Sequence, residues 1–333
     1  MNSPAIKRKK FIITLGLLAF AVLAAGVLLH VNTDPGVDPH MEVMKKTISM
    51  IVIVVSAFFF VLKYDKIVTL PVEIWQNRRL ILKLAGNDFK RRYAGSYMGV
   101  FWAFIQPLVT IALYYFVFGT IMKGARSSGS DVPFVLFLTC GMVPWFFFSE
   151  ALSSGTGALL EYSYLVKKVV FRIEILPIVK AVSAMYVHAF FVALTWLLYC
   201  VYGKFPGLFT LQVFYYTFCM FLMVLSLSYG TSAITVLFRD MEQLVAIVLQ
   251  IGVWATPIMW NLTSIGLPKW LVILFKMNPM YYIVYGYRDT FVLHKGFWEH
   301  PLLTAYFWAF TALVYLWGVK TFRRSRGHFA DVL

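Results

Sequence analysis

The feature that most constrains this chain is a series of long apolar runs separated by short clusters of basic residues. A helix needs about 20 mostly apolar residues to cross the roughly 30 Å of hydrocarbon in a bilayer. Eight runs approach that length, and we predict that each crosses the membrane. They are residues 11–29, 47–64, 98–122, 133–153, 175–201, 211–237, 243–260 and 303–322. The seventh run is interrupted by Pro257.

The composition excludes an ordinary soluble domain. Hydrophobic residues make up 60% of the chain, charged residues make up 14%, and the mean hydropathy is +0.75. A soluble chain is about 45–50% apolar and about 25% charged. The first run follows four basic residues, as in a signal peptide, but it is longer than the apolar stretch of about 7–15 residues that signal peptides contain. We therefore predict an uncleaved signal anchor.

The net charge of +15 comes from basic residues that lie between the apolar runs rather than along one stripe. Segments that water cannot solvate separate these clusters, so the charge favours lipid headgroups over nucleic acid as the partner. With the amino terminus in the cytoplasm and eight crossings, 20 of the 30 Lys and Arg residues are cytoplasmic, nine are outside, and Lys180 lies just inside a span. This asymmetry predicts a multi-pass protein of the cytoplasmic membrane with both termini cytoplasmic.

Residues 70–93 predict a basic amphipathic helix that lies in the inner interface of the membrane. Apolar residues recur there at helical spacing against six basic residues. A juxtamembrane anchor that only holds the topology is the alternative. Gly95 and Gly99 follow and allow a sharp turn into the next span, so the helix could move with that span.

Two further segments do not read as simple spans. Residues 161–172 form a short amphipathic stretch that predicts a docking helix for a soluble partner, with a solvated basic loop as the alternative. Residues 262–293 are moderately apolar but interrupted by Gly, Pro and charged residues. Irregular backbone at membrane depth survives only where protein or water covers it, so we predict a re-entrant or outer-interface pair of short helices.

Motifs for catalysis or metal binding are absent from the sequence. It contains no GxxxxGK[ST] phosphate loop and no HExxH, CxxC or GxSxG pattern, and Cys140, Cys200 and Cys219 all lie in apolar runs. His188 lies within a span, where an interhelical hydrogen bond is commoner than a proton relay. Glu150 alone among the acids comes near the bilayer interior, which gives ion-coupled transport little support. We predict no catalytic residue, no metal site and no cofactor in this chain.

Aromatic residues are in excess, at 18% of the chain. Trp and Tyr settle at headgroup depth without any functional need, which accounts for most of them. The others could line a path for sugar rings, because an aromatic face offers an apolar platform and Tyr adds a hydroxyl.

Motifs in a fixed order give the chain a resemblance to a known family. They are Arg91-Arg92-Tyr93, Tyr97-Met98-Gly99, Trp102, Gln106-Pro107, Gly141 to Phe146 (GMVPWF), Phe171-Arg172, Ile175-Leu176-Pro177, Phe238-Arg239-Asp240, Thr256 to Trp260 (TPIMW), Asn278 to Tyr282 (NPMYY) and Gly286 to Asp289 (GYRD). Because these motifs occur in this order, the chain resembles the permease subunits of ATP-binding cassette (ABC) exporters for cell-surface polysaccharides. The resemblance covers residues from about 72 to the carboxyl end. It is nearest to the teichoic acid translocation permeases of Gram-positive bacteria, with O-antigen and capsular exporters next.

The resemblance implies an all-α integral membrane fold with a six-span type-2 ABC exporter core. That core would work as a homodimer with two copies of a separate ATPase, which binds ATP and Mg²⁺. An amphipathic gate helix maps to residues 70–93, a coupling helix to 159–171, and re-entrant outer helices to 262–293. The division into domains would be an amino-terminal extension with two extra spans (1–69), the gate helix (70–95) and the core (96–333).

The same resemblance implies export of a lipid-linked anionic polysaccharide, with wall teichoic acid on undecaprenyl diphosphate as the expected cargo and cell wall biogenesis as the process. Arginine makes strong charge-assisted hydrogen bonds to phosphate. The residues expected to bind the substrate headgroup are Arg78, Arg79, Arg91, Arg92 and Tyr93. Those expected to line the channel are Tyr114, Trp145, Trp254, Tyr281 and Tyr282. Those expected to couple to the ATPase are Glu161, Tyr164, Lys167, Lys168, Arg239 and Asp240.

Two alternatives remain open. A membrane-embedded transferase acting on a polyprenyl-phosphate sugar would also need interfacial basic residues and aromatics, together with an acid or metal-binding pair. Only residues 239–242, Arg-Asp-Met-Glu, come close to supplying that pair. The second alternative is an exporter of the same type that carries O-antigen, capsule, lipid or drug.

Overall fold

The computed structural model describes residues 4–29, 39–62, 75–121, 133–167, 172–203, 207–262 and 266–333. Within these ranges the chain contains helices and no strand, which confirms the predicted all-α class. The helices are α1 Pro4–Leu29, α2 Pro39–Leu62, α3 Arg78–Arg92, α4 Trp102–Tyr114, α5 Phe134–Thr156, α6 Ala158–Glu161, α7 Ser163–Val166, α8 Ile175–Val201, α9 Gln212–Leu237, α10 Met241–Ala255, α11 Lys269–Lys276, α12 Pro279–Arg288, α13 Pro301–Ser325 and α14 Phe329–Val332. Short 3₁₀ or π segments are Gly99–Phe101, Tyr115–Ile121, Leu208–Leu211, Asp289–Leu293, Phe297–Glu299 and Arg326–His328.

The chain divides into two compact units. The first contains residues 1–78 and 297–306, and within it α1 packs against α2. The second contains residues 79–296 and 307–333. The candidate site described below lies in the second unit.

Among the described residues, six helical segments are long and apolar enough to cross a membrane. They are Phe11–Leu29, Gly99–Ile121, Phe134–Thr156, Ile175–Val201, Leu208–Leu237 and Pro301–His328. Each corresponds to one of the eight predicted runs. The predicted run 47–64 lies in α2 as far as residue 62, its last two residues lie outside the described ranges, and α2 is not among the six. The two-span amino-terminal extension therefore stays a prediction.

The predicted seventh span is shorter in the structure than in the sequence pattern. Helix α10 has 15 residues and ends at Ala255, where Thr256 takes an extended conformation with φ −99° and ψ 126°. Proline disfavours the helical conformation of the residue before it, so Pro257 explains the end of the helix. At 1.5 Å per residue α10 is about 22 Å long, which is less than the hydrocarbon thickness of roughly 30 Å.

Helix α5 lies at the centre of the second unit. It packs against α8, α9, α10 and α12, and most of its side chains are buried. A helix that is apolar on all sides is typical of such a central position. Gly141 allows a close approach, because a Cβ atom there would lie 2.9 Å from Cγ2 of Ile258. Thr156 donates a hydrogen bond to Oγ1 of Thr231 on α9 at 2.8 Å.

Residues 266–293 form the predicted pair of short helices, α11 and α12. Asn278 caps α12 by accepting a hydrogen bond from the Met280 amide at 3.0 Å, and Pro279 occupies the first turn, where a missing N–H costs nothing. The Asn278 side-chain amide also donates to Oγ1 of Thr256 at 2.8 Å. This bond ties the turn after α10 to the start of α12.

Residues 78–92 of the segment predicted to be an amphipathic helix form helix α3, while residues 70–74 lie outside the described ranges. Its buried residues Ile81, Ala85 and Asp88 share one face, because they are spaced by four and three positions. The turn into α4 contains Gly95 with φ +84° and Gly99 with φ +51°. Glycine adopts this left-handed conformation without steric cost, as the sequence predicts for a sharp turn.

Candidate functional site

The basic residues predicted to meet a phosphate headgroup lie near the two ends of α3. Arg78, Arg79 and Arg91 are exposed. The Arg78 guanidinium donates to the carbonyl of Trp75 at 2.8 Å and lies 4.6 Å from the centre of its ring. Tyr93, directly after the helix, is half-buried.

Arg92 lies between two carboxylates. Its guanidinium contacts Oε1 of Glu150 on α5, and it lies 3.6 Å from Oδ2 of Asp88, one turn earlier on α3. The side chains of Arg92 and Glu150 are 27% and 46% exposed, so water still reaches this pair. The positive charge of Arg92 is therefore compensated within the chain.

Asp88, Glu161, Tyr162 and Lys180 form a compact group that we call the charged cluster. The Lys180 ammonium lies 2.6 Å from Oδ1 of Asp88 and also contacts Oε2 of Glu161. The Tyr162 hydroxyl donates to the same Asp88 oxygen at 2.9 Å, and the ammonium lies 5.2 Å from the centre of the Tyr162 ring. Lys180 is 3% exposed and Asp88 is 6% exposed.

The charged cluster joins three parts of the chain. Asp88 lies on α3, Glu161 and Tyr162 lie at the junction of α6 and α7, and Lys180 lies on α8. A buried charge is tolerated only when it is paired and hydrogen-bonded, so each partner depends on the other. Helix α3 therefore cannot move away from α8 without breaking the buried ion pair, and it cannot move away from the α6–α7 segment without breaking the hydrogen bond from Tyr162.

The pKa of Asp88 reflects two opposing effects. Burial alone would raise the pKa of this carboxyl group, because the charged form loses water. The hydrogen bond and the positive charge of Lys180 outweigh burial, and the hydrogen bond from Tyr162 adds to them, so the pKa lies below its ordinary value of 3.8. Asp88 is therefore ionised at neutral pH.

Asp88, Tyr162 and Lys180 are absent from the predicted site residues. One signal in the sequence could have found them, because a lysine inside an apolar run requires an acidic partner. The separation of 92 residues between Asp88 and Lys180 prevents any local pattern from naming that partner.

The predicted coupling residues of the α6–α7 segment are largely accessible. Glu161 is 57% exposed while its carboxylate contacts Lys180. Tyr164 is 53% exposed and Lys167 is exposed. Lys168 lies outside the described residues.

The second group of predicted coupling residues lies beside this segment. Arg239 and Asp240 are exposed in the turn that precedes α10. In the first turn of α10, Glu242 approaches the junction of α5 and α6, because a Cβ atom on Gly157 would lie 2.9 Å from its Oε1. The structure thus brings the two predicted coupling segments together at one end of α5.

The aromatic residues predicted to line a channel fall into two groups. Trp145, Tyr281 and Tyr282 are 6%, 4% and 4% exposed, so they are packed inside the chain. Trp254 is 55% exposed and Tyr114 is half-buried, so a ligand could reach both. The structure does not arrange all five along one open path in a single chain.

A cavity of about 220 Å³ lies between α4, α5 and α8, beside the end of α3. We call it the inner cavity. The polar residues of its wall are Arg92, Gln106, Thr110, Ser149, Glu150 and His188. The aromatic residues of its wall are Tyr93, Trp102, Phe146, Phe147 and Phe191. Its polar wall thus includes the Arg92–Glu150 ion pair.

His188 bonds between helices, as the sequence predicts. Its Nε2 atom lies 3.0 Å from the Tyr287 hydroxyl on α12 and 3.2 Å from Oγ1 of Thr217 on α9. Within the described ranges no group of three or more His, Cys, Asp or Glu residues could hold a metal ion.

Arg288 is a second buried cation that has no predicted role. It is 2% exposed, donates to the carbonyl of Ile258 at 2.5 Å, and lies 3.6 Å from the centre of the Phe137 ring. These contacts hold α12 against α5 and the segment after α10. Arg288 therefore fixes the position of α12.

Comparison with known proteins gives the following similarities. The sequence model of a family described as ABC-2 type transporter matches residues 79–292. The O-antigen export system permease protein RfbA of Myxococcus xanthus is 28% identical over 78% of this chain and 97% of its own length. A protein of the same name from Klebsiella pneumoniae is 22% identical over 76% of this chain and 95% of its own length. The polysialic acid transport protein KpsM of Escherichia coli is 22% identical over 71% of this chain and 90% of its own length.

Proposed function

This chain belongs to the ABC-2 type transporter family, and from that premise we propose that it is the membrane-spanning subunit of an exporter for a lipid-linked polysaccharide. In this proposal the polymer moves from the inner to the outer face of the cytoplasmic membrane. The relatives are named as an export permease and a transport protein, which supports a permease rather than an enzyme. A separate ATPase subunit binds ATP and Mg²⁺ and supplies the energy.

The charged cluster is the observation that supports this mechanism most directly. An ATPase on the cytoplasmic side must move parts of the permease that lie in the membrane. Lys180 contacts both Asp88 on α3 and Glu161 on the α6–α7 segment. In the proposed mechanism the ATPase docks on the α6–α7 segment and on the adjacent turn of Arg239 and Asp240, and the ion pairs pass its movement to α3.

The proposed assembly contains two copies of this chain and two ATPase subunits. Helix α10 supports the pairing, because Leu244, Val248 and Ile251 are 49%, 65% and 63% exposed and share one face. Since α10 is too short to span the bilayer alone, a second copy is a better cover for that face than lipid is.

For the cargo, we propose a polymer on a polyprenyl diphosphate carrier, with wall teichoic acid on undecaprenyl diphosphate as the specific candidate. The exposed Arg78 and Arg79 at the start of α3 and the exposed Arg91 at its end each support a phosphate contact, because guanidinium groups bind phosphate oxygens in bidentate fashion. The names of the relatives make O-antigen and polysialic acid the competing cargoes.

The test is to co-express the chain with the ATPase subunit of the same export system, purify the complex, and measure ATP hydrolysis with each lipid-linked polymer. We expect a stable complex of two permease and two ATPase chains, stimulated most strongly by lipid-linked teichoic acid. Stronger stimulation by lipid-linked O-antigen or polysialic acid would replace the cargo and keep the exporter. Sugar transfer by the purified chain without nucleotide or ATPase would overturn the exporter and favour a transferase.

A further inference from the structure

The inner cavity combines aromatic rings with polar groups that still have hydrogen-bonding capacity. Tyr93 and Trp102 contribute rings to its wall, and Gln106, Thr110 and Glu150 contribute polar groups. A sugar ring presents C–H groups on its faces and hydroxyl groups around its edge. Aromatic faces pack against the C–H groups, while a few well-placed polar groups form hydrogen bonds with the hydroxyl groups.

Three polar groups of this wall are open to a ligand. The side-chain amide of Gln106 makes no hydrogen bond with the part of the chain that the structure describes. Arg92 approaches Oε1 of Glu150, and no described residue donates to Oε2 of that carboxylate. The Thr110 hydroxyl donates to the Gln106 carbonyl at 2.9 Å, so its lone pairs remain available as acceptors.

The charge of the wall excludes an anionic occupant. Arg92 is the only lysine or arginine among the lining residues, and it already contacts Glu150 and Asp88. A phosphate or carboxylate entering the cavity would meet the Glu150 carboxylate without a free cation to balance it. A neutral hydroxyl group can instead donate to that carboxylate in a charge-assisted hydrogen bond.

An acyl chain is a poorer occupant than a sugar. It would leave the Gln106 amide and the free oxygen of Glu150 without partners after displacing water from them, and burying unpaired polar groups is unfavourable. A pyranose ring can pack its C–H face against the aromatic residues of the wall and form hydrogen bonds with its polar residues.

We propose that the inner cavity binds a neutral saccharide unit of the exported polymer. This inference rests on the proposed function, because it takes the saccharide from the cargo. Arg92 gives the site a link to the rest of the molecule, since it contacts Glu150 in the cavity wall and Asp88 in the charged cluster. A saccharide that binds Glu150 in the cavity therefore alters the contacts of Arg92 and, through them, those of Asp88 on α3.

The test uses the full chain in complex with its ATPase subunit, reconstituted in phospholipid nanodiscs. Alkyl maltosides and glucosides are avoided because their headgroups are neutral sugars. The probes are triacetylchitotriose as the neutral trisaccharide and trigalacturonic acid as an anionic trisaccharide, detected by saturation-transfer-difference NMR. We expect saturation transfer to the neutral probe and none to the anionic one.

Matched variants locate the binding. Gln106→Leu and Trp102→Ala should each weaken binding of the neutral probe by about tenfold, because each removes one contact of the cavity. Gln243→Leu on α10 and Trp270→Ala on α11 change the same residue types at exposed positions outside the cavity and should leave binding unchanged. Co-elution with the ATPase subunit verifies that each variant is assembled.

Binding that is equal in the cavity variants and the controls would overturn the proposal, as would preference for the anionic probe. Loss of the signal when short-chain phospholipid is added would also overturn it and would make the cavity a lipid site. A complex whose ATPase responds to lipid-linked polymer but which binds no neutral trisaccharide would refute the cavity proposal alone. The proposed function fails separately, if no lipid-linked polymer stimulates ATP hydrolysis.

Discussion

At the scale of single residues, Lys180 is the side chain whose replacement we expect to destabilise the protein most. Lys180→Met removes the buried cation that faces Asp88, which is 6% exposed, and leaves that carboxylate with only the partly exposed Arg92 at 3.6 Å and the Tyr162 hydroxyl. Breaking a buried ion pair in this way costs about 3–5 kcal/mol. Thermal unfolding of the purified variant, followed by size-exclusion chromatography after heating, should show a clear decrease in melting temperature.

Two further variants serve as a control and as a test of the Asp88–Lys180 interaction. Lys90→Met removes an exposed lysine from α3 and should change the melting temperature little. The double variant Asp88→Asn with Lys180→Met should be more stable than the sum of the two single changes predicts, because it removes both charges of the buried pair, whereas each single change removes the partner of the charge that remains. Additive effects would show that the two side chains do not interact.

The pKa of Asp88 gives a residue-scale prediction for pH. Its pKa in the folded protein lies below the ordinary 3.8, so the ion pair contributes its full stability above that value and loses it as the pH falls through the folded-state pKa. The difference in melting temperature between the native chain and Asp88→Asn should therefore stay constant from about pH 8 to about pH 5. It should shrink at lower pH. A difference that already declines near pH 6 would contradict the lowered pKa.

At the scale of elements, the turn between α3 and α4 depends on two left-handed glycines. Gly95 has φ +84°, and a Cβ atom there would meet nothing within 4 Å, so Gly95→Ala introduces backbone strain without a clash. We expect a loss of about 1–2 kcal/mol in thermal unfolding. Gly86→Ala is the matched control, because Gly86 lies inside α3 with open space around it and should gain about 0.5–1 kcal/mol. Equal effects of the two changes would show that the turn tolerates a right-handed conformation.

The sequence pattern predicts some of the helices and their ends but not others. The six apolar helices are predictable because run length and hydropathy are local properties, and the short pair α11 and α12 is predictable from its Gly and Pro residues. The end of α10 at Ala255 is less predictable, because Pro257 indicates an interruption but does not determine whether the helix resumes after it. The partners of Lys180 cannot be predicted from the sequence for a different reason, because these contacts join segments that are far apart in the chain.

At the scale of the whole molecule, the proposed exporter predicts separate roles for two adjacent arginines. Arg91 is exposed, so Arg91→Ala should leave assembly intact and weaken the apparent affinity for lipid-linked polymer about tenfold, as expected for a lost charge-assisted contact. The measurement is ATP hydrolysis of the complex against polymer concentration. Unaltered stimulation would refute the headgroup role of Arg91.

Arg92→Ala should lower the stability of the complex slightly and leave polymer stimulation near the native level, because Glu150 and Asp88 already compensate the charge of Arg92. The substitution removes the partner of Glu150, but both side chains are partly exposed, so the loss of stability should stay within about 0–1 kcal/mol. A tenfold loss of apparent affinity for the polymer, as expected for Arg91→Ala, would show that Arg92 also meets the headgroup.

The order in which the ribosome makes the charged cluster has a consequence for biogenesis. Asp88 is synthesised 92 residues before Lys180, so during translation its carboxylate exists for some time without the lysine. In the proposed topology α3 lies at the membrane interface, where water solvates this carboxylate in that interval, whereas the ammonium of Lys180 enters the membrane with α8. The partner is then already in place, and the nascent α8 can insert as one of a pair rather than as a helix with an isolated charge.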